Sequence, residues 1–218
     1  MLRLQVIVGS TRETRAAEKV FHWIARRAEV HGAFEVEVLD LRDWPLPMFA
    51  EHMGTLGDLA DPSYSDPVVK RWNQTIKQGD AYIFITPEYN HSFSGVIKNA
   101  IDNVFVSFAF RNKPVGMVGY SGGLVGGARA VEQLALVAIE ADMVPLRNTV
   151  LVGGVGGAFA DNGEPVDIAS DAALKVMLDD LEWWGNLLAQ ARAAGELPPG
   201  TRRFRQLVAE GRAAQTAT

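Results

Sequence analysis

The chain contains no cysteine in its 218 residues. That excludes disulfides, thiolate zinc sites, iron–sulfur clusters and cysteine nucleophiles together. Histidine is scarce, and His22, His31, His52 and His91 show none of the spacings that ligate a metal. No run of about 20 apolar residues occurs, so no membrane-spanning helix is expected. The apolar stretch near the N-terminus, LRLQVIV, is too short for a secretory leader. Basic residues are outnumbered, 21 against 26 acidic, for a formal net charge of -5. Binding nucleic acid through its phosphates needs a basic face instead. These absences predict a cytoplasmic protein that binds neither nucleic acid nor membrane, with any redox chemistry supplied by a bound organic cofactor.

What is present is a folded domain's composition, 48% hydrophobic and 22% charged, at a length that buries a sizeable core. Apolar runs alternate with amphipathic segments. Leu2 to Val8 reads as a buried strand, ended by Gly9, and the segment after Thr11 places Ala16, Val20, Trp23, Ile24 and Ala28 at helical spacing. Phe34 to Leu41 alternates as a second strand. Residues 42 to 66, with Pro45, Pro47, Pro62, Gly54 and Gly57, form a long loop. Asp66-Pro67 starts a helix that runs to about Gln78 and stops at Gly79. Ala81 to Thr86, Pro114 to Tyr120 and Leu146 to Val152 complete five strands. Helices follow at about Val96 to Phe105, from the glycine loop to near Asp142, and at Ile168 to Ala194. Residues 1–197 thus form one domain, and the weakly patterned residues 198–218 an arm or tail. Five strand–helix alternations predict an α/β fold, a flavodoxin-like doubly wound parallel sheet of strand order 2-1-3-4-5. Ligands of such a sheet bind beyond the carboxyl ends of its strands, where the winding reverses.

Three loops meet that edge. After strand one, Gly9 permits a tight turn, Ser10, Thr11 and Thr14 offer hydroxyls, and Arg12 and Arg15 add forked cations at a helix start. Together they describe a monophosphate cradle, and the same residues also suit a plainly capped helix. The loop is neither a GxGxxG nor a Gly-Lys-Ser/Thr phosphate loop, which disfavours a dinucleotide Rossmann site and an NTPase. After strand three, Pro87, Glu88, Tyr89 and Asn90 combine a stiff turn, an aromatic face and backbone groups suited to a flat heteroaromatic ring. After strand four, Ser121, Gly122 and Gly123 open a run with four glycines in the six positions 122–127, which lets backbone N–H groups approach a ligand. A receiver-type signalling domain would need carboxylates where Gly9 and Ser10 stand. A flavodoxin-type electron carrier and a non-catalytic flavin-holding module, with Trp183, Trp184 and the Arg202, Arg203 and Arg205 tail as its partner surface, both remain open on these residues.

The segments GSTRETR, VLDLRDWPLPMF, GDAYIFITPEYN, TPEYNHSFSGVIKNAIDNV and YSGGLVGGARAVEQL, in this order over roughly residues 3 to 152, resemble the NADPH-dependent FMN reductase family. That family includes quinone, azo-dye and chromate reductases. The resemblance implies FMN as cofactor and NADPH or NADH as co-substrate. Hydride would pass from nicotinamide to FMN and then to a small acceptor such as a quinone, azo compound, flavin or metal oxyanion, without a catalytic side chain. It also implies that Ser10, Arg12 and Arg15, with Thr14 beside them, hold the phosphate. Pro87 to Asn90 would border the ring, and Ser121 to Gly123 its pyrimidine side. Homodimers or homotetramers are implied too. Ser94 departs from the family, which usually has proline there, and the C-terminal third departs more.

Overall fold

A computed structural model describes residues 1–58 and 61–216. Six strand pieces, β1 (Leu2–Val8), β2 (Phe34–Asp40), β3 (Ala81–Pro87), β4 (Pro114–Tyr120), β5 (Val144–Pro145) and β6 (Val150–Val152), form one parallel sheet in the order β2-β1-β3-β4-β5, with β6 also on β4. The expected doubly wound order is therefore present. The fifth strand differs in detail. Val144 and Pro145 pair with Pro114 and Val115, the chain leaves the sheet, and Val150–Val152 returns to Val118–Tyr120. Val144 N and Leu146 N donate to Lys113 O at 2.9 Å and Val115 O at 3.0 Å, so the missing N–H of Pro145 falls on the outer edge, where proline is tolerated, and the chain leaves β4 after Leu146.

Helices cover both faces. α1 (Ala17–His31) and α5 (Ile168–Ala194) pack on one, burying Val20, Trp23, Ile24, Leu174, Met177 and Leu181 against β1 and β3. On the other lie α2 (Pro67–Gln78), α3 (Gly95–Phe105) and α4 (Ala128–Glu140), burying Trp72, Ile97, Ile101, Leu134 and Phe84. Strands buried on both sides explain the near-continuous apolar runs in β1, β3 and β4. Asp66 caps α2, accepting from Val68 N at 2.7 Å and Val69 N at 3.3 Å. The long loop is held to this layer: Trp44 packs on Trp72, Asn99 and Asn103 donate to Pro47 O at 2.9 and 3.0 Å, and Phe49 N donates to Asn99 Oδ1 at 2.9 Å. Residues 59 and 60 of that expected loop lie outside the described residues. The end of the chain, expected as an arm or tail, carries a helix, α6 (Gly200–Thr216), with residues 217 and 218 outside the described ones.

At the amino-terminal edge of the sheet Lys113 enters the core just before β4. Its Nζ, with three N–H groups to share, lies within hydrogen-bond distance of Ile76 O (3.2 Å), Lys77 O (2.9 Å), Ala109 O (3.1 Å) and the Tyr82 hydroxyl (3.0 Å). Burial, reinforced by the Arg192 charge, pulls it down to about 7. An unfolded lysine near 10.4 keeps its proton through that interval. The unfolded chain then binds more protons than the folded one, so this residue makes stability rise with pH between about 7 and 10. In thermal unfolding at about pH 6.5 and about pH 9.5, the parent chain is expected to gain on a Lys113→Met variant at the higher value. Equal gains in both chains would disprove this assignment.

Candidate functional site

The loops after β1, β3 and β4 converge on one edge, and side chains tie them together. Gly9 sits where β1 ends: its N–H donates to Ile85 O at 2.8 Å, and a Cβ there would come within 2.0 Å of Ile97 Cδ1. Only glycine lets the backbone pass so close to α3. The next residues stay out of the helix. α1 begins at Ala17, later than the expected start after Thr11, and its N-cap Ala16 makes no side-chain cap. Among the described residues, no backbone N–H from Ser10 to Ala16 donates to a backbone carbonyl. An uncapped helix start preceded by free amides is the anion-binding feature of such folds.

Ser10 is buried, and its hydroxyl lies 3.0 Å from the Tyr89 hydroxyl, joining the first loop to the second. Arg12 and Thr14 are exposed, and the Arg12 guanidinium stands 5.9 Å from the Tyr89 ring centre. Arg15 behaves differently from the other residues expected on the phosphate. Its side chain is 2% exposed and turned inward, with a forked contact to Asp40 and a bond to Glu18 Oε1 at 3.0 Å. Asp40 ends β2, so this pair clamps the loop to the neighbouring strand. Burial favours the neutral form of Asp40, but the Arg15 hydrogen bonds, the Arg42 amide and both charges outweigh it, and its carboxyl lies below the usual value.

In the second loop, Tyr89 and Ser92 exchange backbone hydrogen bonds of 2.8 and 3.0 Å around Asn90 and His91, both at positive φ. This is a two-residue turn of the type that asparagine tolerates. Pro87 is buried in β3, and Glu88 N donates to Tyr120 O at 3.0 Å. Glu88 pairs with Arg129, in the first turn of α4; Arg129 also meets His91 Nε2 at 2.9 Å, and Gln133 reaches His91 O and Ser92. The sequence singled out neither Arg129 nor Gln133. Their helical spacing of four residues on α4 was the available signal.

In the third loop Gly122 and Gly123 are exposed, with amides that donate to no backbone carbonyl. The structural demand for glycine falls on Gly126 and Gly127 instead, both buried at positive φ. Ser121 N donates to Val152 O at 3.1 Å, bringing β6 to the same edge. Tyr120 ends β4 with its hydroxyl buried near that of Ser10 but in no hydrogen bond of ordinary length among the described residues, and burial, only partly offset by Ser10, pushes the phenol up to about 12. A cavity of about 510 Å³ lies elsewhere, between Trp23, the 153–159 turn and the start of α5. The three loops lie side by side at the sheet edge where ligands of such folds bind.

Fold and edge together define a flavodoxin-like, mononucleotide-binding protein. The sequence model of the family described as NADPH-dependent FMN reductase matches residues 2–156. The chain belongs to this family. It is 32% identical over 136 residues to an NAD(P)H-dependent FMN reductase of Schizosaccharomyces pombe, covering 62% of this chain and 65% of that protein's length. It is 28% identical over 187 residues to a quinone reductase of Pseudomonas putida, covering 84% and 94%. The solved structure of FerB, a flavoenzyme NAD(P)H:(acceptor) oxidoreductase from Paracoccus denitrificans, superposes with a TM-score of 0.69 at 26% identity, covering 85% of this chain and 98% of that one. The residues present fit FMN: free amides and Arg12 for a phosphate, an orphaned Tyr120 hydroxyl for a ligand oxygen, and open glycine amides beside an aromatic turn. Among the described residues no helix is long and apolar enough to cross a membrane, and no acidic or histidine cluster suits a metal.

Proposed function

We propose that this chain is an FMN-dependent NAD(P)H oxidoreductase that reduces a small acceptor such as a quinone, an azo compound, a flavin or a metal oxyanion. The observation that carries this reading is the uncapped start of α1, whose free amides stand beside Ser10, Tyr89 and the unpartnered Tyr120 hydroxyl. Bound FMN would supply the transfer of reducing equivalents from nicotinamide to acceptor. The chain's own residues bind and orient. Ser10, Thr14, Arg12 and the amides of residues 11–16 hold the phosphate, and Arg15 acts at one remove by clamping the loop to Asp40. Pro87, Glu88, Tyr89 and Asn90 set the turn against the ring, with Arg129 fixing Glu88. Ser121 and the amides of Gly122 and Gly123 face negative charge with preorganised dipoles. No side-chain acid or base is assigned a proton. We place the FMN-binding unit in residues 1–197, with residues 198–218 as an added arm, in a cytoplasmic homodimer or homotetramer.

A flavin absorbance band in the purified protein, bleached by NADPH or NADH without oxygen and restored by a quinone, tests the whole reading. Flavin that binds but stays oxidised with either nicotinamide would mark an electron carrier instead. In titrations of the apoprotein, Arg12→Ala is expected to weaken FMN by about 10- to 100-fold, the worth of a charge-assisted contact. It should leave riboflavin, which has no phosphate, nearly unaffected. Equal losses for both ligands would remove Arg12 from the phosphate.

A further inference from the structure

α6 carries Phe204, Leu207 and Val208 on one stripe, yet Phe204 and Leu207 are 68% and 66% exposed. A helix of this kind is stabilised chiefly by what covers such a stripe. Arg203 and Arg205 flank it on its two shoulders. Residues 198–218 hold four arginines and one glutamate, a charge of +3; the preceding 197 residues hold the other 17 basic and 25 acidic side chains, a charge of -8. A second uncovered stripe runs along α5, where Val176, Trp183 and Leu187 are 46%, 62% and 45% exposed. Its shoulder is acidic: Asp179 and Glu182 line a groove of about 460 Å³ with Trp183, Asn186, Leu187 and Gln190. These carboxylates face His31, at 3.0 and 3.9 Å, and the remainder of both is open, with side-chain exposures of 58% and 46%.

The connection between the helices is pinned to the turn before β4. Arg111 holds Leu197 O, Asn112 Nδ2 holds Glu196 Oε1 at 2.8 Å, and Pro198-Pro199 stiffens the joint. We infer that α6 docks on the Val176–Trp183–Leu187 stripe of a second copy of this chain, each copy lending its arm to the other. Phe204 and Leu207 lie on Trp183 and Leu187, with Arg205 against the acidic shoulder of Asp179 and Glu182; Arg203, on the opposite shoulder, stays on Pro198 O of its own chain at 3.0 Å. A two-fold exchange of this sort closes on itself and covers both stripes at once.

The absence of cysteine makes the test clean. One chain carries Leu207→Cys and a differently tagged chain carries Leu187→Cys. On oxidation of the mixture, a crosslink joining the two tags is expected, well above that formed with Leu136→Cys, an exposed site on α4 across the sheet. A mixed crosslink no stronger than this control overturns the proposal. So does closure inside a single chain carrying both cysteines when the separate chains fail to join. In solution, Phe204→Glu with Leu207→Glu is expected to halve the particle mass. Arg205→Glu should do the same, and adding Asp179→Lys with Glu182→Lys to that chain should restore the mass. Unchanged mass in all variants, with loss of binding to anionic phospholipid vesicles in the α6 variants, would assign the arm to a lipid surface and overturn the proposal.

Discussion

Replacing Arg15 with alanine is expected to lower the unfolding free energy by about 3–5 kcal/mol, the cost of stranding one member of a buried ion pair. For a chain of this size that is a fall of roughly 6–20 °C in melting temperature. The guanidinium is 2% exposed, and it is the partner of Asp40, which is itself only 18% exposed. Removing it leaves a carboxylate at the end of β2 without its main compensation. Adding Asp40→Ala to the variant removes that stranded charge, so the double variant is expected to be more stable than Arg15→Ala alone. The pH dependence has a definite sign. Asp40 lies below its unfolded value in the folded chain, so its contribution is full above about pH 4 and lost as pH falls through the folded value. Arg15→Ala should therefore move acid unfolding to higher pH. Denaturant titrations of the three chains check both statements. A double variant no better than Arg15→Ala would mean that the pair is not what holds the loop.

Gly127→Ala is expected to cost about 2–6 kcal/mol, the sum of backbone strain and overpacking, and to release FMN. At φ +88° an added Cβ would lie 2.6 Å from Tyr120 N and 2.8 Å from Gly119 C and Cα, all backbone atoms of β4. None of these can turn aside as a side-chain tip would, so the glycine loop must lift from the strand. Gly122→Ala, where nothing lies within 4 Å, is expected to stay within about 0.5 kcal/mol of the parent. Comparable melting temperatures for the two variants would show that the loop's shape does not depend on that close approach.

The alternation of strands and helices was legible because β1, β3 and β4 are buried on both faces, which turns each into an unmistakable apolar run. Asp66-Pro67 announced α2 through local chemistry alone. α6 escaped notice because its apolar positions, Phe204, Leu207 and Val208, are few and lie among arginines, and because no neighbouring element reinforces them. The fifth strand read as one piece since Leu146, Val150 and Val152 are all apolar; periodicity does not register that the chain leaves β4 after Leu146 and returns at Val150. In the site, the loops were found from their place after each strand, but the direction of a side chain was not. Arg12 and Arg15 look equivalent in sequence, and only the position of Asp40 on the adjacent strand separates them. Likewise Gly122 and Gly123 look no different from Gly126 and Gly127 until the backbone of β4 is in place. The four-residue spacing of Arg129 and Gln133 marked a shared face of α4, but it did not show that Glu88, 41 residues away in the loop after β3, is what Arg129 meets there.

The broken fifth strand has a consequence for how copies of this chain can meet. An exposed, regular rim of a sheet is a template for a strand from another molecule. Here one rim is β5, two residues long and half proline, and β6, three residues long. The opposite rim, β2, spans seven residues but carries Glu35 and Glu37 along its length. Neither rim offers a long, uncharged row of hydrogen-bonding groups, so sheets of separate molecules are poorly suited to fuse into a continuous ribbon. Assembly is thereby steered to helical faces, and the fold resists fibril growth by strand addition even while it leaves apolar helix surface open.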